Sequence, residues 1–427
     1  MKNIFILILL FVTSSIYALT PTPGVKQAGE VVYHNAMVHV GNGKVLENAT
    51  IAFKDGKITR VGYFKMKWQE SDINLNGKHV YPGFILPSTN LGISEINSIK
   101  ATRDSNEVGQ MNPNVRSIVA YNTDSEITPT LRFNGILLAQ TTPQGGLLSG
   151  LSSVVQLDAW NWDDAAVLID DAIHVNWPSI KRSSFDYSTY TMKYEKNKNY
   201  EKQRAQITSL FEDAKLGVHR QNGKVNLKLD AISPAFEGTR KVFIHTNDPK
   251  AIVESINYFQ EVGVKQLVLV AQQGALPVTG FIKDSGVPVI VSSTHAQPKR
   301  DDSSVDAGYT TAIKLHNLGI LTALGYRGAM SSRNLAFTAG TLVGYGMDKE
   351  QALKLITSNT AKILGIDKDY GTLETGKSAT LIITDGDALD MRGNQLEAAY
   401  IDGRKLNLDG RQQALEKRFL EKYNLNK

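Results

Sequence analysis

Two histidines stand where an apolar run gives way to a polar loop, and both have neighbours able to do chemistry. His245 closes Val242-Phe243-Ile244, and His295 sits in Ser292-Ser293-Thr294-His295-Ala296-Gln297-Pro298, with Asp301, Asp302 and Asp306 following. Imidazole and carboxylate are good ligands for zinc and related divalent ions, so His245, His295 and one aspartate, Asp301 foremost, form a candidate metal site. The plainer reading is a hydrogen-bonded strand-end histidine and an Asp-Asp-Ser-Ser capping loop ahead of a helix. A metal-free alternative takes Ser88 as nucleophile and His245 or His295 as base, although no nucleophile-elbow pattern surrounds Ser88. Thr142-Pro143-Gln144-Gly145-Gly146 could turn backbone N–H groups toward a ligand. It lacks the Lys-Ser/Thr of a P-loop, which leaves a flexible loop after a strand.

Short apolar runs position these residues. Asn134 to Ala139, Ser153 to Leu157, Val242 to Ile244, Gln266 to Val270, Val287 to Val291 and Gly319 to Leu324 read as strands covered on both faces. Helices with clear stop signals lie between them. Asp248 caps one, Pro249 fits its first turn, Ile252, Ile256 and Phe259 mark its buried face, and Gly263 ends it. Another is expected from Asp348 to about Leu364. Repeated strand–helix units predict a parallel α/β barrel.

Both ends of the chain read differently. His34 to Val40, Val45 to Phe53 and Ile58 to Val61 alternate, and Asp55-Gly56 between the latter two is a hairpin signal, because a type I′ turn needs positive φ at both central residues. Turn-rich β character returns beyond Gly365, so the two ends are expected to pair into one side domain. The segment with Trp160, Trp162, Trp177, Phe185, Tyr187, Tyr190 and Tyr194 is rich in aromatics. It suits a substrate entrance, a subunit contact or a satellite core.

Composition narrows the functional classes. The 427 residues carry a formal charge of +5, scattered along the chain, and the lysines from Lys193 to Lys202 read as a solvated helix start. A nucleic-acid stripe is not indicated. Cysteine is absent, which removes thiolate metal sites, a cysteine nucleophile, disulfides and a lipid-anchored cysteine. Lys2, the apolar run Ile4 to Val12 and the polar stretch to Ala18 read as an export signal, with the remainder expected to be free of membrane spans and to work in the periplasm or outside the cell.

Tyr81-Pro82-Gly83, the Asp55-Gly56-Lys57-Ile58 hairpin, Ala361-Lys362-Ile363-Leu364-Gly365 and Gly371-Thr372-Leu373-Glu374-Thr375-Gly376-Lys377 occur in an order that resembles the amidohydrolase superfamily, closest to its imidazolonepropionase-like branch. The resemblance covers nearly the whole chain after residue 18. It implies a distorted (β/α)8 TIM barrel at 83–365, flanked by a composite β-sandwich from 19–82 and 366–410 and followed by a helix at 411–427. The resemblance also implies one or two divalent metals at the carboxyl mouth of the barrel, holding a hydroxide that attacks a cyclic amide or related C–N bond. Their ligands would be a His-x-His pair after the first strand, histidines after two central strands, and an aspartate at the end of the last.

Carried onto this sequence, Ser88 and Asn90 replace the His-x-His pair, and His245 keeps its place. Gln272 and Gln273 follow the next strand, and Arg327 takes the last aspartate's position beside Tyr326. Neutral Ser and Asn are poor zinc ligands, and an arginine repels a dication. The reading that follows is an exported, catalytically degenerate amidohydrolase-like protein with no cofactor expected. It binds a small-molecule ligand or a partner at the mouth, with Arg327 and Tyr326 suited to an anion. Alternatives are an active C–N hydrolase, using zinc around His245 and His295, and an inert structural subunit paired with an active relative.

Overall fold

Eight strands with apolar inward faces stand side by side in the computed structural model, which describes residues 22–64, 68–217, 220–221, 224–298 and 303–425. The proposed export signal at 1–18, and Asp301 and Asp302, lie outside the described residues. In chain order, which is also the order around the sheet, the barrel strands are Phe84–Thr89, Ile136–Thr141, Leu148–Gln156, Ala166–Asn176, Lys241–His245, Leu267–Ala271, Val289–Ser292 and Thr322–Gly325. Ile85, Leu138, Val154, Phe243, Ile290 and Ala323 belong to an apolar cluster that fills the lumen. Filling the lumen makes it a core rather than a pore.

The expectation of an all-parallel barrel needs one correction. The third strand runs antiparallel to both neighbours, pairing Thr141 with Ser153 on one side and Ser152 with Ala172 on the other. A parallel crossover needs about a dozen residues or more. Only 142–147 separate the second and third strands, so the chain can return only as a hairpin.

Helix Pro249–Val262 forms as the sequence predicts. Asp248 accepts the Lys250 and Ala251 N–H groups, and Gly263 adopts φ 101° at the stop. The helix expected from Asp348 to Leu364 is instead two, Lys349–Lys354 and Ser358–Leu364. At the break, the Leu355 carbonyl accepts the Leu324 N–H at 3.0 Å and the Ile356 carbonyl accepts the Ile85 N–H at 2.9 Å. Two carbonyls that a continuous helix would have used internally thus tie together the eighth and first barrel strands.

The chain ends meet in one eight-stranded sheet. Leu381–Thr384 pairs antiparallel with His79–Pro82, which pairs in parallel with Val31–His39. The sheet curls until Lys57 bridges Ser378, enclosing Tyr33, Ile51, Phe53, Val80, Leu381 and Ile383. Asp55 and Gly56 both take positive φ, 49° and 80°, as the hairpin signal requires. Asp158, fully buried, fastens this unit to the barrel: it accepts Arg132 at 2.8 Å, Arg404 at 3.4 Å and the Gly24 N–H at 2.9 Å.

Candidate functional site

The carboxyl ends of the strands define a mouth, and its first wall is a bulge. Pairing between the first two strands slips between Leu86 and Thr89, and Ser88 is driven to φ 56°, a conformation uncommon for a residue with a side chain. Its N–H donates to Gln140 Oε1 at 3.1 Å. The Gln140 amide nitrogen donates to Asp171 Oδ2 at 2.7 Å, and Ser152 Oγ donates to Asp171 Oδ1 at 2.7 Å. Burial pushes the Asp171 carboxyl pKa up, opposed by these two bonds and by Lys241. The strained backbone at Ser88 is therefore held by an internal polar network.

Asn90 is spent on closing the barrel. Its N–H donates to the Arg327 carbonyl at 3.1 Å, and its Oδ1 accepts the Ala329 N–H at 2.8 Å. The side-chain oxygen that would have to face a metal is occupied by the backbone of the loop after the eighth strand.

At the centre of the mouth two imidazoles meet. His174 from the fourth strand and His245 from the fifth lie Nδ1 to Nε2 at 2.8 Å. The parallel register sets His245 opposite Asn176, so His174, two residues earlier, lies on the same face as Asn176 and one step deeper. Burial, then the Arg327 charge, hold His245 down to about 3. Burial, His245 and Arg327 hold His174 well below its usual range. Both rings are therefore neutral at physiological pH. His174 Nε2 is buried with no hydrogen-bond partner among the described residues.

Arg327 stands near enough to this pair for its charge to lower both imidazole pKa values. Arg327 is solvent-exposed, and the protein around its guanidinium lowers its pKa only through partial desolvation. Its backbone carbonyl takes Asn90 and Gln144, while the guanidinium has no hydrogen bond or ion pair among the described residues. An accessible guanidinium near neutral rings, with no ion pair among the described residues, is a cation open to an anion.

Other expected site residues are placed elsewhere. His295 does not join His245; its Nε2 meets Thr341 Oγ1 at 2.8 Å on helix Leu335–Gly344, beside Tyr309. The reason is local: Ser293 takes φ 81° directly after the seventh strand, and the chain turns aside there. The Tyr326 hydroxyl meets Thr338 Oγ1 at 2.6 Å on the same helix. Asp306 is bonded by the Ser304 hydroxyl ahead of helix Ala307–Asn317. After the sixth strand, the Gln272 N–H is bonded to Asn247 Oδ1 and Gln273 Nε2 donates to the Gln297 carbonyl. The Gly145-Gly146 loop aims carbonyls, not N–H groups, at a side chain: both accept from Asn176 Nδ2.

His174, Gln140 and Asp171 carry no motif in the sequence that marks them as site residues. His174 is embedded in Ala172-Ile173-His174-Val175, and period-two alternation places it on the inward face once that run is read as a strand. That signal was available.

The described residues do not fit a divalent metal. No group of three His, Cys, Asp or Glu side chains converges among them. The two available imidazoles use one nitrogen each on one another, Asn90 Oδ1 is taken, and Arg327 contributes positive charge. Zinc prefers at least three protein ligands with negative or imidazole donors.

With this geometry in place, relatives can be compared. The chain belongs to the amidohydrolase family, whose sequence model matches residues 148–410. It is similar to an imidazolonepropionase from Picrophilus torridus, 34% identical over 110 residues, covering 25% of this chain and 26% of that protein. It is also similar to a 5-methylthioadenosine/S-adenosylhomocysteine deaminase from Moorella thermoacetica, 40% identical over 78 residues, covering 16% of this chain and 18% of that one. The chain thus matches only about a fifth to a quarter of the length of these curated relatives. Among solved structures, an amidohydrolase from Thermotoga maritima MSB8 superposes with a TM-score of 0.74 at 21% identity, covering 88% of this chain and 99% of that one. That likeness establishes the barrel and its side sheet.

Proposed function

We propose that this amidohydrolase-family chain is an exported, catalytically degenerate member that binds a small anionic ligand at the barrel mouth. One observation carries the reading: the solvent-accessible Arg327 guanidinium is unpaired among the described residues and close enough to the neutral His174–His245 pair for its charge to act on both rings. A carboxylate or similar anion there would gain a charge-assisted hydrogen bond from a cation with no competing carboxylate partner. The same cation opposes a bound dication, with a repulsion of several kcal/mol at ~4–5 Å for an effective dielectric of about 20. The alternative hydrolase built on His245 and His295 loses support, because His295 is engaged with Thr341.

Calorimetric titration with acetate and with inorganic phosphate tests the reading. Arg327→Ala should weaken binding of whichever anion binds by about tenfold or more, the scale of one hydrogen bond to a charged group. Its thermal midpoint should stay at the parent value, because the guanidinium makes no intramolecular bond among the described residues. Equal affinity in the two proteins, or no binding to the parent, would remove the proposal.

A further inference from the structure

The stretch Lys193 to Lys202, expected to begin a helix, does so only from Tyr200; its first part, to Lys196, belongs to a free-standing ribbon. Strands Lys181–Asp186 and Thr191–Lys196 pair only with each other, and they are inserted between the mouth end of the fourth barrel strand and helix Tyr200–Lys215. An isolated two-stranded hairpin is marginal in water. This one also exposes its apolar groups: Phe185 is 43% accessible, Met192 48%, Tyr194 63%, Tyr187 80% and Tyr190 81%. Phe185 packs edge-on against Tyr187 and Tyr190 at the tip, with centroids 5.0 and 6.2 Å apart.

The register shows what shares that face. Phe185 stands opposite Met192, Ser183 opposite Tyr194 and Lys181 opposite Lys196. One face therefore runs from an aromatic tip to two exposed lysines standing directly across from each other. Neither lysine forms an ion pair among the described residues, whereas Lys193 on the other face holds Asp186 at 2.5 Å. Like charges directly opposite are unfavourable in a two-stranded ribbon unless an anion lies between them. From Lys181 to Lys198 there are five basic and two acidic residues, a net +3. Self-pairing of two copies through this face would set those lysines against each other, so charge complementarity points to an anionic occupant.

We propose that this ribbon docks on an anionic lipid surface, with the aromatic tip entering the headgroup region and Lys181 and Lys196 meeting lipid phosphates. Amphipathic rings favour the membrane–water interface, and each basic residue near an anionic leaflet adds to the attraction. The occupant is the surface itself; among the described residues no helix is long and apolar enough to cross a membrane.

Co-sedimentation of the full chain with vesicles of phosphatidylcholine containing phosphatidylglycerol, against phosphatidylcholine alone, tests this. Binding should favour the anionic vesicles and fall about tenfold or more in Lys181→Glu/Lys196→Glu, the scale set by two lysines near a charged leaflet. Tyr187→Ser/Tyr190→Ser should weaken it as well, with circular dichroism and the thermal midpoint unchanged in both variants. Binding equal on the two vesicle types, or indifferent to both variants, would overturn the proposal, since the apolar run Ile4 to Val12 would give that result unaided. Light scattering showing oligomers that the tip variant dissolves without vesicles would also overturn it, assigning the ribbon to a second copy.

Discussion

His174 Nδ1 and His245 Nε2 lie 2.8 Å apart at the barrel mouth, one nitrogen of each ring engaged with the other, while His174 Nε2 stays without a partner among the described residues. Burial and Arg327 keep both neutral, so the pair contributes no charge to the site and leaves the arginine as its dominant ion.

That pairing makes stability sensitive to acid. Both folded pKa values lie below the unfolded value, so the unfolded chain takes up protons that the folded pair refuses. The pair's contribution is intact above about pH 6.5 and is lost as pH falls through the window from there toward about 3, where His245 titrates. Thermal midpoints measured between neutral and mildly acidic pH should decline less steeply in His174→Gln/His245→Gln than in the parent. An identical decline would show that other groups set the acid response.

Removing Gln140 should cost far more than its uncharged side chain suggests. Gln140→Leu leaves the Ser88 N–H and Asp171 Oδ2 without their partners in a buried setting. Each orphaned group costs about 1–3 kcal/mol, so the urea midpoint should drop by the equivalent of about 2 kcal/mol or more. A drop below about 1 kcal/mol, within the range of an ordinary net hydrogen bond, would mean that water replaces the amide.

Asp158 should prove the most sensitive ionic position away from the mouth. It is buried between Arg132 and Arg404 and also receives the Gly24 N–H. Asp158→Ala leaves the Arg132 cation buried and unpaired, a loss of about 3–5 kcal/mol. Urea unfolding measures it, and a loss under about 1 kcal/mol would place this triad among ion pairs that contribute as little as surface ones.

Much of the fold is legible in the residues. Asp248, Pro249 and Gly263 bound a helix by capping chemistry that acts locally, and Asp55-Gly56 fixes a hairpin through its φ requirement. Features that depend on distant partners are not. Nothing near Ile356 announces that its carbonyl will leave a helix to take the Ile85 N–H, and strand direction at Leu148–Gln156 follows from a linker length that periodicity does not weigh. At the site, His245 and Arg327 stand out because each follows a recognisable strand. His174 hides inside one, and His295 drops out because its loop turns away at Ser293.

The central claim is that Arg327 and the paired histidines make an anion site where relatives of this fold are expected to hold metal. Metal analysis of the purified chain, after growth with zinc, manganese and iron supplied, tests it most directly. The account predicts metal far below one equivalent per chain and no difference between the parent and His245→Ala. Stoichiometric metal in the parent, lost on replacing His245, would contradict it.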